Sequence, residues 1–241
     1  MLHSEKAPDY VGQGYWLRLL VPIFLTILIV PAWGGDKSKD EETLKNATGV
    51  LSEMLNSNSI PSDVLENADC VLILPNVKKF GFGIGGSGGR GPMTCREGSD
   101  FSGGWSAPAM YSMGGASLGI QVGGSSTDFV LLIMSQKGVN AVTEGKTKLG
   151  SDATAAAGPS GVTRTGTMQG TDVLTYAKAS GLFAGTSLGS ATLEPDTDAN
   201  KRLYDRDVTA KEILFQNSVQ VTPAGEDLVS LLNAKIAKRK S

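Results

Sequence analysis

The chain has 241 residues, of which 40% are hydrophobic and 19% are charged. This composition supplies enough apolar material for a folded core and excludes an intrinsically disordered chain. The formal net charge is -2, so the overall electrostatic field gives no basis for a nucleic-acid partner. Glycine is abundant, with 31 residues, but it follows no G-X-Y period, which excludes a collagen-like chain.

An apolar run, LLVPIFLTILIVPAW, occupies residues 19–33 and directly follows Arg18. As a helix this run would be about 22 Å long, shorter than the ~30 Å hydrocarbon core of a bilayer. Ala32 and Gly34 place small residues around a possible cleavage point. The pattern predicts a signal peptide over residues 1–34 and an exported, periplasmic or envelope-associated protein, with an uncleaved N-terminal anchor as the alternative.

Helical periodicity marks both ends of the remaining chain. Apolar residues recur from Leu44 to Leu55, which predicts an amphipathic helix over 40–57, and Pro61 begins a short second helix that runs through Asn67. Near the C-terminus we expect helices at 196–206 and 210–215. A last amphipathic helix within 221–241 ends in a basic group, namely Lys235, Lys238, Arg239 and Lys240.

The centre of the chain shows the alternation that is typical of half-buried strands. We predict a short strand at 71–75 that ends at Pro75, and a glycine-rich strand within FGFGIGGSGGRG, residues 80–91. A further strand begins at Trp105, and others are predicted at 116–123, 129–134, 173–177 and 181–191. The strand at 129–134 is predicted to be central in the sheet, because its residues are apolar at both odd and even positions. Alternate glycines leave one strand face bare, so another backbone or a bulged corner can approach it closely. The predicted fold is therefore α+β, a strongly curved antiparallel glycine-rich sheet or small barrel flanked by N- and C-terminal helices.

Two cysteines, Cys70 and Cys95, lie in the part of the chain predicted to be exported. They could form a disulfide in an oxidising compartment, and a reduced buried pair is the alternative. Two cysteines and the single histidine, His3, do not make a metal site at this spacing. The sequence thus predicts neither a metal nor a cofactor.

The glycine-rich stretch matches the dinucleotide-binding pattern G-x-G-x-x-G in overlapping frames, but no helical period follows it. The pattern G-x-S-x-G occurs around three serines, yet the single histidine, His3, lies within the predicted signal peptide or anchor, so no histidine base is available for a serine nucleophile. We therefore predict a protein without catalytic residues.

Basic residues bracket the glycine-rich stretch, and they are Lys78, Lys79, Arg90 and Arg96. At one end of a hairpin they would attract an anionic lipid headgroup, while an ordinary solvated surface is the alternative. The basic group at the C-terminus is a second candidate for membrane contact.

Three segments together resemble the SYLF domain family over about residues 41–217. They are residues 60–91, 103–124 and 177–214. Their most specific pieces are Trp105-Ser106-Ala107-Pro108, the Gly119–Gly123 stretch and Gly181-Leu182-Phe183-Ala184-Gly185. The resemblance implies a SYLF-like domain over 35–220 that binds lipid without enzymatic activity. Tyr204 is followed by Asp205, where members of the family usually have glycine.

These observations predict a non-catalytic protein that binds acidic phospholipid at an envelope membrane surface. The alternative is a structural or interaction module whose curved sheet binds an envelope protein or polymer. Lipid binding would depend on anionic headgroups, whereas the interaction module would be indifferent to lipid charge.

Overall fold

The computed structural model describes residues 36–82, 84–118, 123–157, 170–179, 182–185 and 191–236. The predicted signal peptide or anchor over 1–34 lies outside these residues, as do Lys238, Arg239 and Lys240. Within the described ranges, every helix is too short or too polar to cross a membrane.

Six helices and nine strands are found in the described residues. The helices are α1 (Lys37–Asn56), α2 (Ser62–Glu66), α3 (Gln136–Thr143), α4 (Thr197–Tyr204), α5 (Ala210–Phe215) and α6 (Pro223–Lys235). The strands are β1 (Cys70–Phe82), β2 (Ile84–Cys95), β3 (Ala109–Leu118), β4 (Gly123–Ile133), β5 (Thr147–Lys148), β6 (Ala155–Ala157), β7 (Val173–Ala179), β8 (Leu182–Gly185) and β9 (Thr192–Pro195).

The strands form one strongly curled sheet in the order β5-β9-β3-β2-β1-β4-β7-β6, with β8 also paired to β7. All neighbouring strands are antiparallel except β6 and β7, which run parallel. The predicted α+β fold with a curved sheet and terminal helices is confirmed, with one parallel pair as a departure from the predicted antiparallel pattern.

Both faces of the sheet are covered over part of its length. On one face Leu72, Leu131 and Ile133 pack with α3 and α5. On the other face Ile73 and Leu132 pack with α1, α2, α4 and α6. The predicted central strand at 129–134 is confirmed as part of β4, because burial on both faces requires apolar residues at every position.

Helix α1 uses its apolar stripe in this core. Asp36 caps the helix, since its carboxylate accepts a hydrogen bond from the Ser38 N–H at 3.0 Å. The stripe itself is fully buried and consists of Leu44, Ala47, Leu51 and Met54. The amphipathic pattern therefore reflects packing against the sheet.

The prediction that the first strand ends at Pro75 is wrong, because β1 continues to Phe82 through a β-bulge. The pairing with β4 shifts by one residue between Leu74 and Val77. Asn76 lies in the bulge with φ +56°, and its N–H donates to Asp128 Oδ1 at 2.7 Å. A bulge is a place where a strand tolerates proline, because the ladder is already interrupted there.

The glycine-rich stretch is a hairpin of β1 and β2 rather than one strand, with Phe82 paired to Ile84. Glycine is required at position 91, where a Cβ atom would lie 1.8 Å from the Ile73 carbonyl oxygen. The bulged part of β1 approaches β2 at this position. The expected close approach of backbone to bare glycine is thus confirmed here.

Three further strand predictions differ from the structure. The third strand begins at Ala109 rather than Trp105, because Trp105 makes an isolated pair with Arg96 and its ring is buried. In place of one strand over 181–191, the described residues contain β8 and β9, and residues 186–190 lie outside them. Of the stretch predicted as a strand at 116–123, residues 116–118 belong to β3, Gly123 begins β4, and residues 119–122 lie outside the described residues.

Candidate functional site

Lys78 and Lys79 lie on opposite faces of β1, just beyond the bulge. Val77 belongs to the core that α3 and α5 cover, and Lys79 shares its face, with the ammonium 5.5 Å from the centre of the Phe129 ring. Because residues alternate in a strand, Lys78 is on the other face, where it is exposed. The bulge therefore decides which lysine faces which side.

The face of Lys78 is open to solvent although it lies in the middle of the sheet. Lys78 is paired with Gly88 and Ser126, and Gly88 is paired with Gly114. Lys78, Ser126 and Gly114 are exposed. Farther back on this face, Ile73, Met110 and Val130 are buried under helices. The helix layer thus stops short of this end of the sheet.

The strand register places further residues on the side of the sheet that carries Lys78. Directly paired residues lie on the same face, so Phe80 shares its face with Gly86, Gly124 and Ala116. The next row beyond places Phe82, Ile84 and Leu118 together. We call this face the glycine shelf. It is defined by Lys78, Phe80, Phe82, Ile84 and Leu118 with the intervening glycines. The shelf has apolar residues nearest the end of the hairpin and one basic residue, Lys78, farther from that end.

Arg90 is held by carboxylates rather than left for a headgroup. Its guanidinium donates to Asp40 at 2.5 Å and to Asp196 at 2.7 Å. Arg202 also donates to Asp40, at 2.7 Å, and this hydrogen bond raises the pKa of Arg202. Asp40 itself is fully buried. This ionic cluster joins α1, β2 and α4, and its role is structural.

Arg96 is buried and not available to a headgroup in this structure. Only 1% of the residue is exposed. Its guanidinium lies 4.7 Å from the centre of the Trp105 ring and donates to the backbone oxygens of Ala68 and Glu66, each at 3.3 Å. The sequence did not reveal this burial, because arginine is rarely found fully inside a fold.

Lys235 lies at the opposite end of the molecule from Lys78. It is exposed and lines a cleft with Ile60, Pro61 and Glu66, residues that precede Cys70 at the start of β1. Lys78 belongs to the far part of the same strand. The structure therefore does not bring the described part of the C-terminal basic group onto the surface that carries Lys78.

The sequence analysis did not single out Asp40, the first residue of the predicted helix over 40–57. A signal was present, since Asp40 precedes Leu44 by four residues and Ala47 by seven. This spacing places a carboxylate on the apolar stripe of the helix. A charged residue on a buried stripe requires a partner of opposite charge.

Cys70 and Cys95 are directly paired in β1 and β2 and form a disulfide. Both residues are fully buried. Within the described residues, no three His, Cys, Asp or Glu side chains gather as metal ligands would.

Comparison with known proteins shows which family and which characterised sequences this chain is similar to. The family model Ysc84, described as Las17-binding protein actin regulator, matches residues 114–235. Protein YSC84 of Saccharomyces cerevisiae is 35% identical over 213 residues, which is 83% of this chain and 44% of that protein. The SH3 domain-containing protein PJ696.02 of Schizosaccharomyces pombe is 37% identical over 185 residues, which is 73% of this chain and 41% of that protein.

A human relative, the SH3 domain-containing YSC84-like protein 1, is 31% identical over 203 residues, covering 83% of this chain and 58% of that protein. This chain thus spans about half the length of the curated relatives that it matches. The family model is described as a binding protein and actin regulator, and a further Saccharomyces cerevisiae relative, 32% identical over 212 residues, is named LAS seventeen-binding protein 3. The chain belongs to the Ysc84 family, the family of the SYLF domain.

Proposed function

We propose that this protein is a non-catalytic module that binds acidic phospholipid at a membrane surface, and that the glycine shelf makes the contact. The observation that carries the proposal is that Lys78 is exposed, and that the strand register puts Phe80, Phe82, Ile84 and Leu118 on the same side of the sheet. Apolar positions at a tip with a basic residue behind them match the order of acyl chains and headgroups in a lipid monolayer.

The energies favour a weak, reversible contact. A lysine near an anionic surface contributes about 1 kcal/mol, and each apolar side chain that enters the membrane boundary adds on the order of 1 to 2 kcal/mol. Glycines between these positions keep the shelf thin, so that it lies close against the lipid. The apolar stripe of α1 is already buried in the core, which supports contact through the shelf rather than through this helix.

We also propose that the protein is exported and acts in the envelope. The predicted signal peptide or anchor motivates this location, and the buried disulfide between Cys70 and Cys95 supports it, since such bonds persist in oxidising compartments. A fraction containing periplasm and membranes should contain the protein. Recovery in the cytosolic fraction with reduced cysteines would contradict the location.

Vesicle co-sedimentation tests the lipid contact. The full chain should pellet with vesicles that contain phosphatidylglycerol and remain in solution with pure phosphatidylcholine, at low salt. Lys78→Glu should lower the bound fraction several-fold. The matched control is Lys45→Glu, because Lys45 is an exposed lysine on α1. No charge-dependent binding by the unmodified protein would refute the proposal.

The second candidate is a protein-interaction module, which the names of the relatives favour, since the family model is described as Las17-binding. Under this alternative the curved sheet binds an envelope protein or polymer. Pull-down from an envelope extract should then recover one defined partner, and vesicle binding should not depend on lipid charge.

A further inference from the structure

A cleft of about 480 Å³ lies on the opposite face of the sheet from α1 and α6. Its walls are α3, α5 and the loop that follows β2, and its lining residues include Phe101, Val139, Leu214 and Phe215. The volume falls in the range of small-molecule sites. None of its residues belongs to the glycine shelf, so the cleft is independent of the proposed lipid contact.

The floor of the cleft is apolar and rigid. Phe101 is 7% exposed, and Val139 and Leu214 are buried still more completely. The rings of Phe101 and Phe215 meet edge to face, with centroids 6.3 Å apart and an interplanar angle of 87°. This arrangement gives a small apolar or aromatic group a preformed surface to pack on.

Phe101 reaches the floor through an unfavourable backbone conformation. Its φ is +54°, a region that bulky side chains rarely adopt. The surrounding loop is closed by hydrogen bonds from Gly103 N–H to the Glu97 oxygen at 2.9 Å and from Glu97 N–H to the Gly104 oxygen at 2.8 Å. Local strain that the fold maintains in this way is often associated with a binding site.

Charged groups of both signs stand on the rim. Glu97, Glu144 and Lys211 line the cleft. Glu144 and Lys211 are exposed, and Glu97 is half-buried. Within the described part of the chain, these three side chains make neither an ion pair nor a hydrogen bond. A positive and a negative group are therefore both available to a ligand above one apolar floor.

We infer that this cleft binds a small zwitterion with an apolar body. The anionic group of the ligand pairs with Lys211, its ammonium pairs with Glu97 or Glu144, and its apolar part packs on Phe101 and Phe215. Two sources share this chemistry, the zwitterionic headgroup region of a phospholipid and a free aromatic amino acid. A ligand that carries only one sign of charge would be attracted by one kind of rim residue and repelled by the other.

Isothermal titration calorimetry with the full chain tests this inference. The probes are monomeric dodecylphosphocholine and L-tryptophan, with dodecyl sulfate and dodecyltrimethylammonium as probes of a single sign. At least one zwitterion should bind saturably at one site and more tightly than both single-sign probes. Dodecylphosphocholine alone would assign a lipid source, and tryptophan alone would assign an amino acid.

Two rim variants complete the test. Lys211→Ala and the combined Glu97→Gln and Glu144→Gln variant should each weaken zwitterion binding about fivefold to tenfold, which corresponds to the loss of one charge-assisted contact. Lys45→Ala, on α1, is the control and should leave affinity unchanged. The inference fails if neither zwitterion binds saturably, if a single-sign probe binds as tightly, or if Lys211→Ala behaves like Lys45→Ala. Failure here leaves vesicle binding by the glycine shelf untouched, so the two proposals are tested separately.

Discussion

The two ends of strands β1 to β4 differ in what covers them. At the end that holds Cys70, Cys95 and Ile133, helices pack on both faces and the side chains are fully buried. At the other end Lys78, Gly114 and Ser126 are exposed. The same strands therefore provide stability at one end and an open surface at the other, and substitutions should separate these two roles.

The largest expected effect lies at the boundary between the two ends. Gly91→Val should lower the free energy of unfolding by about 4 kcal/mol, because a Cβ atom there would lie 1.8 Å from the Ile73 oxygen. Urea unfolding followed by circular dichroism measures this loss. Gly114→Val is the control, since nothing lies within 4 Å of a Cβ atom at that position. Equal stability losses for the two variants would refute the role assigned to the bulge.

A smaller loss in the free energy of unfolding is expected when the ionic cluster beside α1 is disrupted. Asp40→Ala leaves Arg90 and Arg202 without their shared buried partner and should cost about 3 kcal/mol. The neighbouring Glu41 is exposed, so Glu41→Ala should change stability by less than about 0.5 kcal/mol. Thermal unfolding of both variants provides the comparison. A tolerated Asp40→Ala change would mean that the cluster is dispensable.

Asp172 should make the covered end sensitive to acid. Burial alone would raise the pKa of this carboxyl, but hydrogen bonds from Ser135, Thr154 and Lys137 outweigh burial and lower the pKa to about 2. A lowered folded-state pKa contributes stability above the unfolded value of 3.8, and this contribution disappears as the pH falls toward 2.

Asp172→Asn should therefore cost about 2 kcal/mol at pH 6 and much less at pH 2. Urea titrations of both proteins across this pH range measure the difference. A cost that stays the same at every pH would show that charge at Asp172 does not matter.

The smallest effect on stability is expected at the open end. Lys78→Glu should change the free energy of unfolding by less than about 0.5 kcal/mol while it lowers binding to anionic vesicles. Lys235→Glu, at the covered end, should leave both quantities unchanged. If the two variants reduce vesicle binding equally, then the assignment of lipid contact to the end that carries Lys78 is wrong.

Much of the fold followed from local patterns in the sequence. The period of Leu44, Leu51 and Met54 predicted α1, and apolar residues on both parities predicted the centre of β4. Pro75 was misleading because its tolerance depends on a bulge in which the Asn76 N–H donates to Asp128, a residue far away in the sequence. Trp105 was placed in a strand for a similar reason, since its contact with Arg96 is not visible in the sequence around it.

The candidate site was predictable in part. The sequence singled out Lys78 and Lys79, and strand alternation puts them on opposite faces, but the bulge decides which lysine faces which side. Arg90 and Arg96 looked equivalent to these lysines in the sequence. Their partners are Asp40 and Asp196 for Arg90 and Trp105 for Arg96, and such long-range partners become visible once the chain is folded.

Asp205 ends α4 in a backbone conformation that favours glycine. It occupies the turn after the helix and adopts a φ of +53°. Aspartate tolerates this left-handed conformation better than most residues because its short polar side chain can bond locally. The helix thus ends as it would with glycine.

Asn200 of α4 has a consequence for how the sheet meets other molecules. Its side-chain carbonyl accepts from Met110 N–H at 2.7 Å, and its amide donates to the Met110 oxygen at 3.2 Å. A single side chain therefore pairs with β3 as a neighbouring strand would, just past the end of β9. Unpaired strand edges recruit other chains and start aggregation. Because Asn200 holds both backbone groups of Met110, this part of the β3 edge offers no free donor or acceptor to a strand of another molecule.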